Sequence, residues 1–190
     1  MRPFFRYGLA TLGLLVALPL PASQVFVEEM PLDELVSSSP AIAIVSQARP
    51  PTSQDQFPVT KRWRTYTPYT YVVHRLVVER IIHDPGNHLQ LGKTITVAPG
   101  DLEEMYEGHV LYEVHGDMES PIIFTYQGTL AGREGPEQFI VFLRYGTFRE
   151  RPITAFVVPG AVEDTGELAK IEALLGKTAD TPEDPSRTVP

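Results

Sequence analysis

Polar and apolar residues set out two periods along the chain, and each period predicts its own elements. After Pro31, the residues Leu32, Leu35 and Val36 share a helical face, and Asp33 and Glu34 stand at its positive end. This predicts a short helix over residues 31–38, ended by Ser37 to Ser39 and Pro40. Residues 41–45 (AIAIV) are an unbroken apolar run, as a buried strand would be. Residues 48–68 carry Pro50, Pro51, Pro58 and Pro68 and no usable period, which predicts a long polar loop. Residues 69–83 (YTYVVHRLVVERIIH) are dense in β-branched and aromatic side chains and predict a strand. The apolar parity changes near Arg75, so a bulge is expected there to keep one face buried. A helix is the competing reading, because Val73, Val77 and Ile81 are four apart.

Asp84-Pro85-Gly86-Asn87 is a turn in which proline presets φ and glycine accepts a positive one. Residues 89–97 (LQLGKTITV) alternate and predict the partner strand of a hairpin. Residues 101–108 read as an acidic connection, and residues 109–115 (HVLYEVH) alternate as a strand would. Residues 121–126 add a short strand, and residues 131–137 read as a loop. QFIVFLRY (138–145) and PITAFVV (152–158) predict two further strands that pair across residues 146–151. Asp164 and Glu167 have capping-box spacing ahead of a helix over residues 165–175. Its apolar stripe is Leu168, Ile171, Leu174 and Leu175, and Gly176 is placed to end it. Residues 177–190 are polar and proline-bearing, and are expected to be a disordered tail. The sum is a mainly β chain: a small OB-like antiparallel barrel with a short N-terminal helix and a C-terminal helix, with a β-sandwich as the alternative.

Four stretches carry a family likeness: LDELVSSSPAIAIVSQ, YTYVVHRLVVERII, GKTITVAPG, and EQFIVFLRY followed by FVVPG. Through them the chain resembles exported bacterial proteins with a netrin-module or metalloproteinase-inhibitor-like OB fold. The resemblance implies a fold more than an activity. In the animal inhibitors an N-terminal cysteine places its amine and carbonyl on the enzyme's zinc. This chain has no cysteine, so that mechanism does not carry over.

The N-terminus changes the picture. Arg2 and Arg6 precede an uncharged apolar run over residues 8–20, which is shorter than the ~20 residues that span a bilayer. Pro19, Pro21, Ala22 and Ser23 follow. Residues 1–23 read as a cleavable signal peptide, with an uncleaved anchor as the alternative. Residues 24–176 are then a single domain in the periplasm or outside a bacterial cell, with no transmembrane segment after cleavage. The absence of cysteine excludes disulfides, thiolate metal sites and a lipid-modified cysteine. The 16 basic and 24 acidic residues give a net charge of −8, and losing Arg2 and Arg6 takes it to −10. That sign opposes nucleic-acid binding.

No catalytic constellation stands out, and no cofactor is expected. Glu103, Glu104 and Glu107 lack any feature that would set a catalytic separation, and no nucleophile elbow or phosphate-binding glycine loop is present. His109, Glu113 and His115 would share one face of a strand and are the best metal-ligating set. His83 and His88 flank a turn, and His74 reads as a packed histidine. Arg62, Trp63, Arg64 and Tyr66, with Lys61 and Tyr69, form the one basic cluster with aromatics. Such a cluster stacks on sugars or on a partner's side chains. The expected function is therefore a non-enzymatic envelope binding module that contacts an envelope protein or glycan. The alternatives are a metal-binding protein or metal-dependent enzyme, and a protease inhibitor by fold analogy.

Overall fold

The computed structural model describes residues 26–116, 122–125 and 137–179. The predicted signal peptide and most of the predicted tail and of the 131–137 loop lie outside these residues. The described chain is mainly β. A six-stranded antiparallel sheet runs in the order β4-β3-β2-β6-β7, with β8 also paired to β6. Its strands are β2 (Ala41–Lys61), β3 (Arg64–His83), β4 (Thr94–Val97), β6 (Gln138–Phe148), β7 (Arg151–Phe156) and β8 (Val162–Asp164). Strands β1 (Phe26–Glu29) and β5 (Ile122–Thr125) form a separate parallel pair. The helices are α1 (Leu32–Ser38), α2 (Leu102–His115) and α3 (Leu168–Ala179).

The sheet is not the closed barrel expected from the sequence. Its outer strands β4 and β7 meet only where Ala98 bridges Ala155 in parallel. The Ala98 N–H donates to the Thr154 carbonyl at 2.8 Å, and the Phe156 N–H donates to the Ala98 carbonyl at 3.1 Å. Immediately beyond, Gly100 packs so closely that a methyl group there would overlap the backbone of Val158 and Pro159. No ladder forms along this seam, and among the described residues β4 itself pairs with β3 alone. The first part of the predicted 89–97 strand, including the exposed Leu91, is turn and coil.

The apolar runs are buried where expected. Residues 41–45 and 139–143 pair side by side, and all are buried. They form the main core with Leu35 and Val36 of α1 and Ile171 of α3. Leu168, Leu174 and Leu175 pack against its edge. The Asp164 carboxylate accepts the Gly166 N–H at 2.7 Å and starts a single 3-10 turn that leads into α3. Gly176 does not end this helix, which continues to Ala179.

The 48–68 segment is the largest departure from expectation. It is strand rather than loop. Strand β2 runs on to Lys61 and pairs with β3 through the Lys61–Arg64 pair. The prolines are accommodated because they sit at breaks in the ladder: Pro50 and Pro51 between Gln47 and Thr52, and Pro58 between Phe57 and Val59. The first break lies opposite Arg75. The buried side of β3 changes there from Tyr71 and Val73 to Leu76 and Val78.

The 101–115 segment is the second departure, being one helix rather than a connection and a strand. Asp101 precedes it, Glu103 and Glu104 stand in its first turn, His115 in its last, and Gly116 closes it at φ +74°. Leu102 and Tyr106, four apart, are its buried contacts. They join Phe57, Val59, Tyr71, Val73 and Phe148 in a second core between α2 and the outer half of the hairpin.

Candidate functional site

The β2–β3 hairpin ends in a turn made by Arg62 and Trp63. Arg62 has φ +55°, the sign that tight hairpin turns require at their first central residue. Trp63 is fully exposed. Directly below the turn, Lys61 and Arg64 face one another across the strands. Like charges in that position repel. Below the Thr60–Thr65 pair, Tyr66 pairs with the buried Val59 and is half-buried. The four residues predicted for partner contact thus occupy one hairpin tip.

Helix α2 braces this tip. The ladder break at Pro58 leaves Thr67 and Pro68 out of register with β2. Two side chains one helical turn apart take up the backbone of Thr67. His109 Nε2 donates to its carbonyl at 2.9 Å, and its N–H donates to Glu113 Oε2 at 3.4 Å. Lys61 Nζ donates to His115 Nε2 at 3.0 Å. The three residues predicted as metal ligands therefore do not share one strand face. His109 and Glu113 meet at Thr67, and His115 turns to the hairpin tip. Among the described residues, no group of three or more histidines or carboxylates is arranged to hold a metal.

Between the tip and the end of α2 lies a cleft of about 390 Å³, walled on the far side by Val114 and His115. None of its lining residues is acidic. Sequence reasoning missed the helical wall because it read residues 109–115 as a strand. The usable signals were the glycine after His115 and the spacing of Leu102, Tyr106 and Val110.

The other candidate residues are placed elsewhere. Glu103 pairs with Arg144 at 3.4 Å, and the Arg144 Nη2 reaches the Gly100 carbonyl at 3.4 Å. These residues line a small cleft of about 150 Å³ with Asp101 and Glu104. His88 lies against the Tyr145 ring, with centroids 4.2 Å apart, and His74 meets Phe156 edge-on at 5.5 Å. Burial and the nearby Asp84 carboxylate push the Tyr145 phenol above its ordinary value.

No protein-family model, curated protein or solved structure matches the chain.

Proposed function

We propose that the chain is an exported, non-enzymatic binding module of the bacterial cell envelope, and that it holds its partner at the β2–β3 hairpin tip. The observation that carries this reading is Trp63, fully exposed at the apex and flanked by three cations. Indole in water is apolar surface left uncovered, and aromatic and arginine side chains are the usual anchors of interfaces. The brace from α2 presets the tip, which lowers the ordering cost of binding. Export rests on the N-terminal sequence.

The test is capture from envelope extract by the wild-type protein and by a Trp63→Ala, Arg62→Ala, Arg64→Ala variant. The variant is expected to lose its partners while keeping wild-type stability, since Trp63 contributes nothing to the core. Identical capture by both proteins overturns the role of the tip.

A further inference from the structure

The geometry points to an anionic phospholipid surface as what the hairpin tip binds, with Trp63 seated at the headgroup level and Lys61, Arg62 and Arg64 on lipid phosphates. This rests on the proposed binding role of the tip and names its partner chemistry.

The tip is cationic in a chain of net charge −8. The ion pairs among the described residues are Arg80–Glu172, Arg144–Glu103 and Lys170–Glu167, and none of them neutralises the tip. The only side-chain partner of Lys61 among the described residues is His115, and Glu113, the nearest acid of α2 in sequence, turns to the Thr67 backbone. The opposed Lys61 and Arg64 repel one another, and a bridging phosphate oxygen would relieve both.

The side-chain inventory separates a phosphate from a neutral sugar. Residues 60–66 contain no Asp, Glu, Asn or Gln. Lys61, Arg62, Trp63 and Arg64 at the apex offer donors only, which suits phosphate oxygens, and the acceptors in this stretch are the hydroxyls of Thr60, Thr65 and Tyr66, with no carboxylate or amide oxygen for a sugar. Shape separates a membrane from a small anion. Trp63 stands at the apex of a hairpin in which residues 52–61 of β2 have β3 as their one strand neighbour among the described residues, with α2 packed along one face. The indole of Trp63 lies beyond the last strand pair, Lys61–Arg64, and is fully exposed. A protruding indole flanked by cations is the arrangement that settles at a bilayer interface.

Trp63 is the chain's single tryptophan, so intrinsic fluorescence reads the tip alone. The purified full chain is titrated with phosphatidylglycerol vesicles, with phosphatidylcholine vesicles and with inorganic phosphate. The apolar segment at residues 8–20 is the same in every variant, so differences between variants belong to the tip. With phosphatidylglycerol, Trp63 emission is expected to shift to the blue and to be quenched by brominated acyl chains. An Arg62→Gln, Arg64→Gln variant, which keeps the indole, is expected to partition roughly 30-fold more weakly, about fivefold per cation removed. Its far-UV circular dichroism and urea midpoint without vesicles should match the wild type, which shows that the hairpin is intact, since the fully exposed Trp63 does not report folding. The inference is overturned if phosphatidylglycerol leaves Trp63 unchanged, or if phosphatidylcholine or inorganic phosphate gives the same shift. Unchanged emission together with tip-dependent capture of an envelope protein would sink the lipid assignment and leave the binding role standing.

Discussion

Phe57 shows how single residues hold the second core together. Its ring stacks on Tyr71 at 5.5 Å and meets the edges of Tyr106 and Phe148 at 6.1 and 4.8 Å. The Arg151 guanidinium covers it at 5.0 Å. It is 1 % exposed, so truncation leaves a cavity in the second core. Phe57→Ala is expected to lower the unfolding free energy by about 3–5 kcal/mol, read from urea denaturation. A loss below about 1 kcal/mol would mean that α2 and the hairpin are not packed as described. Phe57 was hidden in the sequence by its neighbours. It stands in a polar stretch beside Pro58, and only Val59 shares its face and its burial.

At the scale of elements, legibility followed how much of each element is covered. Residues 41–45 and 138–143 are central, with strand neighbours on both edges, and their apolar runs announced them. Residues 49–56 of β2 are all exposed, so no alternation was written into them, and the prolines at ladder breaks imitated a loop. Helix α2 buries only Leu102 and Tyr106 and leaves Met105 and Tyr112 exposed. Apolar side chains lie all round it, and its helical period is correspondingly faint. The candidate tip was legible as a cluster, because Arg62, Trp63, Arg64 and Tyr66 are adjacent in sequence. Its wall from α2 was not. The β6–β7 turn hid in another way. Arg149 and Glu150 both have positive φ, +48° and +67°, where glycine or asparagine would advertise a primed turn. Side chains with a Cβ pay roughly 1–2 kcal/mol in that region. Glu150 is exposed, so Glu150→Gly should relieve strain without breaking a contact. We expect it to raise stability by about 0.5–1 kcal/mol, visible as a higher Tm. Arg149 is the wrong residue to replace, because its guanidinium lies over the Tyr106 ring at 4.7 Å. An unchanged or lower Tm for Glu150→Gly would show that the turn is not strained as drawn.

At the scale of the whole molecule, both cores hold tyrosines that resist ionisation, and this couples overall stability to alkaline pH. Burial pushes the Tyr69 phenol up, with Asp101 adding to it. Burial also raises Tyr71, with further contributions from its 3.1 Å hydrogen bond to Asp55 and from that carboxylate's charge. Tyr145 is raised by burial and then by Asp84. In the unfolded chain these phenols return to their ordinary value of about 10. A group whose folded value is the higher one contributes stability that is complete below the unfolded value. That contribution drains away as pH rises through the folded value. Stability should therefore be level through neutral pH and fall steadily above about pH 10, as urea midpoints measured across that range would show. Tyr145→Phe separates this linkage from general alkaline damage. The Tyr145 hydroxyl is buried without a hydrogen-bond partner among the described residues, so its removal costs little at neutral pH. The variant should hold its neutral-pH stability and lose part of the alkaline slope. Tyr71→Phe should lose slope too, but at a cost of about 1 kcal/mol at neutral pH for the hydrogen bond to Asp55. If both variants kept the full wild-type slope, the phenols would not be the groups that govern it, and the packing of Tyr71 and Tyr145 described above would be wrong.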